Sequence, residues 1–96
     1  MSETRVSRTE KLIGEEGVAR LARAHVAVVG VGGVGSHAAE GLCRAGVGRL
    51  TLIDPDAVEP SNLNRQVQAT VLTLGMPKAE ALAARLRTIN PDGVFE

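Results

Sequence analysis

The chain has 96 residues, of which 44% are hydrophobic and 23% are charged, and its 11 basic residues balance its 11 acidic ones. This composition is typical of a globular protein with at most one small domain, and the balanced charge gives no sign of a tail for nucleic acid or membranes. A single cysteine excludes an internal disulfide, and the sequence contains neither a bilayer-spanning apolar run nor the apolar core of a signal peptide. We therefore expect a cytoplasmic protein without a membrane segment.

Residues 1–24 are predicted to form an N-terminal arm followed by one helix. Residues 1–9 are polar and lack a hydrophobic period, which indicates an arm that lies on another surface. A short helix is expected from about residue 15 to residue 23, because apolar residues recur there at helical spacing and two glutamates favour its N-terminal end.

A strand, a glycine-rich turn, a helix and a second strand are predicted next. Residues 25–29 form a short β-branched run without alternation, which is typical of a strand that is buried on both faces. Gly46 ends the helix, and residues 49–53 form the second strand, which closes on Asp54. Such a unit has parallel strands and a right-handed crossover. The helix carries one apolar stripe, made of Ala38, Ala39, Leu42 and Cys43.

The remaining residues predict a loop, another helix and the start of a third strand. Pro77 suits the first turn of a helix whose apolar face contains Leu82 and Leu86, and Val94 and Phe95 follow as strand residues. Doubly wound sheets usually have about five or six strands. We therefore predict an α/β fold with a Rossmann-like doubly wound parallel sheet, of which residues 25–96 form only the first part.

The turn after the first strand has the spacing of a phosphate-binding loop. Gly30, Gly32 and Gly35 match G-x-G-x-x-G, in which the glycines allow a tight turn, close approach of a phosphate and close packing of helix on strand. Gly33 adds further room. Asp54 follows Gly35 by nineteen residues and ends the second strand, where an acidic residue accepts hydrogen bonds from ribose hydroxyls. Together these residues predict a nucleotide site.

Two basic residues beyond this turn favour a triphosphate over a dinucleotide. The glycines and Asp54 alone fit a nicotinamide dinucleotide equally well, but a triphosphate carries more negative charge and requires cations. Arg65 lies in "SNLNRQ", and Lys78 lies in the first turn of the last helix. A lysine at that position opposes the helix dipole unless an anion lies nearby.

The order and spacing of four motifs resemble the HesA/MoeB/ThiF superfamily, whose members are related to ubiquitin-activating enzymes. The motifs are "GVGGVGS", "LTLID-D-V--SNLNRQ", "GMPKAE" and "INP", and the resemblance covers residues 8–91. Within the superfamily, "RTEKLIGEEGVARL", "GSHAAEGLCRAGVG" and Asn64 are most similar to the tRNA threonylcarbamoyladenosine dehydratase branch. The similar sulfur-carrier adenylyltransferases often have glutamine at the position of Asn64.

This resemblance implies a reaction with ATP and Mg²⁺ in which a carboxylate is adenylated and pyrophosphate leaves. The residues that it assigns to the phosphates, the ribose and the developing charge are Gly30, Gly32, Gly33, Gly35, Asp54, Asn62, Arg65, Gln66 and Lys78. The family's magnesium-binding aspartate and its cysteine have no counterpart before residue 96. We therefore expect the parent protein to be the enzyme and residues 1–96 alone to be inactive.

The dehydratase branch implies a tRNA substrate, whose threonyl carboxylate is activated and then closed into a ring by a carbamoyl nitrogen. The alternative partner is a small sulfur-carrier protein, adenylated at its C-terminus. Arg8 matches an arginine that family members extend into the active site of the other subunit, which implies a homodimer.

Two readings from other classes remain open at this point. A nicotinamide-binding oxidoreductase domain explains the glycines and Asp54 but gives Lys78 no role, and a non-catalytic nucleotide-binding subunit would keep the fold without the chemistry. Cys43 is interpreted as a small buried residue, and neither His25 nor His37 has a sequence partner that would make it a base or a ligand.

Overall fold

The computed structural model describes residues 3–96 as three α-helices and a three-stranded sheet. None of the helices in this part of the chain has the length and apolar character needed to cross a membrane. The elements in chain order are α1 Ser7–Arg23, β1 His25–Val29, α2 Gly33–Ala45, β2 Arg49–Ile53, a 3₁₀ turn Pro60–Asn62, α3 Lys78–Ile89 and β3 Val94–Phe95.

The sheet has the order β1-β2-β3, and both strand pairs are parallel. Val29 of β1 lies opposite Ile53 of β2, so the two strands end together. Helices α2 and α3 form the two crossovers. This arrangement confirms the predicted Rossmann-like α/β fold and the third strand that begins at Val94. The division of the chain into residues 1–24 and 25–96 stays a prediction.

The core lies between one face of the sheet and helices α2 and α3. Side chains alternate along a strand, so one set faces these helices and the other set faces away. The buried cluster contains Val31, Ala39, Cys43, Val47, Leu50, Leu52, Leu82, Ala83, Leu86 and Phe95.

The opposite face of the sheet is open in residues 3–96. Val29 is 78% exposed, and Ile53 and Val94 are each 50% exposed. The expectation that the first strand is buried on both faces is therefore wrong for the described residues, because α2 and α3 both pack on the same side of the sheet. Ala38, which was expected in the apolar stripe of α2, is also exposed.

Helix α1 begins earlier than the sequence indicates. Residues 7–9 were predicted to belong to a non-helical arm, but the helix already starts at Ser7. Gly14 (φ +76°) interrupts the helix just before the segment in which a helix was expected. The side-chain hydroxyl of Ser7 accepts a hydrogen bond from the Thr4 N–H at 2.7 Å, which supports this start. Leu12 is 87% exposed, so the first half of α1 has no buried apolar face whose periodicity would have predicted a helix.

The glycine turn brings the start of α2 against the end of β1. Gly30 has φ +84°, which is accessible to glycine without strain. A Cβ on Gly35 would lie 1.7 Å from the Gly30 carbonyl oxygen, so no larger residue fits this helix position. At the other end of α2, Gly46 (φ +106°) caps the helix as predicted.

Helices α2 and α3 are joined by one carboxylate and by a buried thiol. Glu40 of α2 binds Arg85 of α3 at 2.6 Å and Arg44 at 3.3 Å. Burial raises the pKa of the Glu40 carboxyl, but the hydrogen bonds and charges of Arg85 and Arg44 outweigh it and lower the pKa below 4.5. Cys43 is fully buried, donates to the Leu86 carbonyl oxygen at 3.6 Å, and has a pKa raised by that burial, which confirms its interpretation as a core residue.

We expect Gly35→Ala to destabilise the protein by about 3 kcal/mol or more, because the new methyl group would overlap backbone and force α2 away from β1. Urea unfolding of the intact protein measures this change. Gly41→Ala is the matched control in the same helix: nothing lies within 4 Å of the added Cβ, and the exchange should stabilise the helix by about 0.5–1 kcal/mol. Equal stability of the two variants would contradict the close contact.

We expect Glu40→Gln to lower stability near neutral pH by about 0.5–1 kcal/mol. The folded-state pKa of Glu40 is depressed, so its contribution is complete above the unfolded value of 4.5 and is lost as the pH falls through the lower folded value. The difference between variant and wild type should therefore shrink below pH 4.5 in unfolding curves. Glu16→Gln, at an exposed carboxylate without an ion pair in residues 3–96, is the matched control and should change the free energy of unfolding by less than about 0.5 kcal/mol.

Candidate functional site

The glycine turn lies at the carboxyl edge of the parallel sheet, where β1 and β2 end. The Gly30 N–H donates to the Ile53 carbonyl oxygen at 2.8 Å, and the Val31 N–H donates to Asp54 Oδ2 at 2.9 Å. The turn is therefore fixed to β2 as well as to its own strand. In open α/β sheets, ligands bind in the crevice outside this edge.

Asp54 has a structural role in addition to the predicted contact with ribose. Its Oδ2 holds the turn at Val31, and its Oδ1 accepts a hydrogen bond from the Asp56 N–H at 2.8 Å. An ionised carboxylate has about four lone-pair positions, so both oxygens keep capacity for further donors. The geometry is compatible with the assigned ribose contact, which stays a prediction.

The segment around "NRQ" lies over the glycine turn. A Cβ placed on Gly33 would lie 3.7 Å from Arg65 Cδ, and one placed on Gly32 would lie 3.8 Å from Gln66 Nε2. Arg65 and Gln66 thus approach the first residues of α2, where free backbone N–H groups and the helix dipole favour an anion. Two residues more than thirty positions after the turn therefore lie beside it.

Hydrogen bonds from α2 hold this segment in place. The Ser36 hydroxyl accepts from the Val67 N–H at 3.3 Å, and His37 Nε2 hydrogen-bonds the Arg65 carbonyl oxygen at 2.9 Å. Asn62 is buried, and its Oδ1 accepts from the Glu59 N–H at 2.8 Å. The sequence analysis assigned His37 no partner that would make it a base or a ligand. In the structure its ring contacts the backbone of Arg65, a structural contact that only the tertiary fold creates.

Arg65 and Lys78 carry charges that no carboxylate neutralises within residues 3–96. The Arg65 guanidinium donates to the Ser61 carbonyl oxygen and to Asn64 Oδ1, both at 3.0 Å, and forms no ion pair with Glu59. Lys78 is only 9% exposed and is the first residue of α3, the end at which the helix dipole is positive. An anion at this edge of the sheet would relieve both charges.

The segment after β2 links Lys78 to the turn. The Lys78 N–H donates to the Asp56 carbonyl oxygen at 2.8 Å, and Asp54 in turn binds the Val31 N–H. The structure therefore connects Lys78 to the glycine turn through three consecutive residues of the loop.

The start of α1, which carries Arg8, lies near the end of α2 that is remote from the glycine turn of the same chain. Val6 packs near Gly46, at the C-terminal end of α2, where a Cβ on Gly46 would lie 3.5 Å from Val6 Cγ1. The glycine turn is at the opposite end of α2, and a helix of 13 residues is about 20 Å long. The role of Arg8 stays a prediction.

Sequence reasoning missed Gln68, which is 1% exposed. Its Nε2 donates to the Val31 carbonyl oxygen at 3.1 Å and to Gln66 Oε1 at 2.8 Å. The only signal was a polar residue between Val67 and Ala69, beyond the end of the recognised motif.

A surface cleft of about 340 Å³ borders the site on the side of α2. Arg65 and Gln66 belong to the candidate site and also line the cleft, whereas the glycines of the turn do not line it. No group of three metal-ligating side chains occurs in the part of the chain that the structure describes. The cleft is lined by His37, Glu40, Leu63, Asn64, Arg65, Gln66, Val67 and Arg85.

Comparison with known proteins finds relatives over most of the chain. The chain is 52% identical over 86 residues to the tRNA threonylcarbamoyladenosine dehydratase of Bacillus subtilis, covering 90% of this chain and 34% of that protein. It is 48% identical over 79 residues to the sulfur carrier protein adenylyltransferase of Thermus thermophilus, covering 82% of this chain and 29% of that protein.

A solved structure shows the same similarity in three dimensions. The crystal structure of the Escherichia coli tRNA N6-threonylcarbamoyladenosine dehydratase in complex with ATP superposes with a TM-score of 0.90 at 49% identity, covering 94% of this chain and 37% of that one. The chain thus spans about a third of the length of these relatives. The family model of the ThiF family matches residues 6–95, and the chain belongs to that family.

Proposed function

We propose that the protein uses ATP to adenylate a carboxylate, and that this carboxylate belongs to threonylcarbamoyladenosine in tRNA. The observation that carries the ATP site is the position of Arg65 and Gln66 over Gly33 and Gly32 at the start of α2. The E. coli relative was solved with ATP, and its fold matches this chain closely.

The charges of the site favour a triphosphate over a dinucleotide. A pyrophosphate needs little more than backbone N–H groups and a helix dipole, which the glycine turn already supplies. Arg65 and the buried Lys78 add two cations without a carboxylate partner in residues 3–96. A nicotinamide-binding domain would give them no role, whereas the phosphates of ATP would neutralise both.

The proposed reaction exchanges one phosphorus–oxygen bond for another. A carboxylate oxygen attacks the α-phosphorus of ATP, the bond to the bridging oxygen breaks, and pyrophosphate leaves with the electron pair. Negative charge therefore accumulates on the leaving group, and fixed cations beside it lower the barrier. Arg65 and Lys78 are proposed for this role, Asn62, Gln66 and the glycines for binding the phosphates, and Asp54 for holding the ribose.

Magnesium is proposed as part of the reaction in the parent protein, where it would supply charge neutralisation at the phosphates. Residues 3–96 contain no group of three or more metal-ligating side chains, and the family resemblance places the metal-binding aspartate beyond residue 96. The steps assigned here to Arg65, Gln66 and Lys78 do not depend on where that ligand lies.

The tRNA substrate is supported by the relatives and by Asn64. The B. subtilis protein, 52% identical, is named for its action on tRNA threonylcarbamoyladenosine. After adenylation, a carbamoyl nitrogen would attack the activated carbonyl carbon, lose its proton and release AMP, so that a ring closes with net loss of water. Adenylation of a sulfur-carrier protein is the second candidate, supported by the T. thermophilus relative at 48% identity.

A homodimer and a cytoplasmic location complete the proposal. Arg8 is exposed, and the neighbouring Val6 packs at the end of α2 that is remote from its own glycine turn. This position is consistent with an arginine that serves the site of a second subunit. The rival hypothesis, a non-catalytic subunit, predicts that no AMP forms.

We expect Arg65→Ala to lower AMP formation by the intact protein at least about 100-fold, because a fixed cation at the departing pyrophosphate is lost. Arg65 is exposed, so circular dichroism and the melting temperature should stay close to those of wild type. Arg20→Ala, at another exposed arginine, in α1, is the matched control and should keep full activity. Binding of NAD in place of ATP, or full activity of Arg65→Ala, would refute the assignment.

We expect the protein, given ATP and tRNA that carries threonylcarbamoyladenosine, to reduce the mass of that nucleoside by one water. Digestion of the tRNA followed by mass spectrometry measures the change, and a reaction without ATP is the control. If the tRNA stays unchanged while the C-terminus of a small carrier protein becomes adenylated, the function belongs to the sulfur-carrier branch. If neither substrate reacts, both substrate assignments are refuted.

A further inference from the structure

Gln68 makes two hydrogen bonds with one atom. Its side chain is 1% exposed, and Nε2 donates one hydrogen to the Val31 carbonyl oxygen at 3.1 Å and the other to Gln66 Oε1 at 2.8 Å. The orientation of the Gln68 amide is therefore fixed, since rotating it by half a turn would place Oε1 against the carbonyl oxygen of Val31. Val31 belongs to the glycine turn, and its own N–H donates to Asp54 Oδ2.

The fixed amide of Gln68 decides which way the amide of Gln66 points. Gln66 is 6% exposed, so its amide has little freedom to turn toward solvent. Because Gln66 Oε1 accepts from Gln68, the Nε2 donor must lie on the other side of the amide, and it lies 3.8 Å from a Cβ position on Gly32. Reversal of this amide would turn a carbonyl oxygen toward the same place.

Stability alone does not account for the amide of Gln68. Its Oε1 is buried and has no hydrogen-bond partner among the described residues. A buried polar atom without a partner destabilises a fold, and an apolar side chain of similar size would avoid that loss. The hydrogen bond from Gln68 Nε2, which orients the amide of Gln66, gives a reason for an amide at this position.

We propose that Gln68 is a positioning residue that turns the Gln66 N–H donors toward the phosphates of the bound nucleotide at Gly32. This inference rests on the proposed ATP site. The physical reason is the sign of the interaction: an N–H attracts a phosphate oxygen, whereas an amide oxygen repels it. Gln68 is oriented by the backbone of the glycine turn and in turn orients the side chain of Gln66, without itself contacting the ligand.

The test is a double-mutant cycle on the intact protein with ATP as the probe, measured by calorimetric titration. Gln68→Met, which keeps the volume and removes the amide, should weaken ATP binding about tenfold, the range of one lost charge-assisted hydrogen bond. Gln66→Met should weaken it by at least as much. The double variant should bind no more weakly than Gln66→Met, because Gln68 acts only through Gln66.

A matched control separates positioning from stability. Asn90→Leu removes another buried amide, which accepts from the Asp92 N–H after α3. This variant should lower the melting temperature and leave ATP affinity unchanged. If Gln68→Met weakens ATP binding equally with and without Gln66, or leaves it unchanged, the positioning role is overturned.

A measurement on the wild-type protein does not depend on how the variants fold. On addition of ATP, the side-chain amide resonances of Gln66 should shift, whereas those of Gln68, whose hydrogens are already bonded, should stay in place. A shift of Gln68 without one of Gln66 would contradict the inference. Failure of the wild-type protein to bind ATP would instead overturn the proposed function on which the inference rests.

Discussion

The site depends on the close contact between the start of α2 and the end of β1. Gly35 lies so near the Gly30 carbonyl oxygen that no side chain fits between them. This contact sets the helix N-terminus at the carboxyl edge of the sheet, where its backbone donors and dipole act on the same small volume. The other residues of the site are positioned relative to this junction of β1 and α2.

Polar contacts attach the loop after β2 to the junction of β1 and α2. Asp54 binds the backbone of the turn, and Ser36 and His37 of α2 bind the backbone at Val67 and Arg65. The apolar core lies below, between the sheet and helices α2 and α3. A long loop whose only helical element is a short 3₁₀ turn thereby becomes a rigid support for Arg65 and Gln66, and such supported loops are where binding residues commonly occur.

Much of the fold was predictable because its signals are local. The glycine spacing, the β-branched run before it and Asp54 after it predicted the strand–turn–helix–strand unit, and the parallel sheet confirms it. The first half of α1 was missed because Leu12 is exposed and leaves no apolar period to detect. Burial of β1 on both faces was expected from its composition, but composition does not say on which side each crossover helix packs.

The sequence by itself determined which groups the site contains: glycines that allow close approach, an acid predicted to hold a ribose, and two cations predicted to neutralise phosphate charge. Only the tertiary structure decided how these groups are oriented. His37 reaches the Arg65 carbonyl, and Gln68 fixes the amide of Gln66, through contacts between residues that lie far apart in the chain or outside its motifs. The type of a residue is written in the sequence, whereas the direction of a hydrogen bond depends on the partner that folding brings to it.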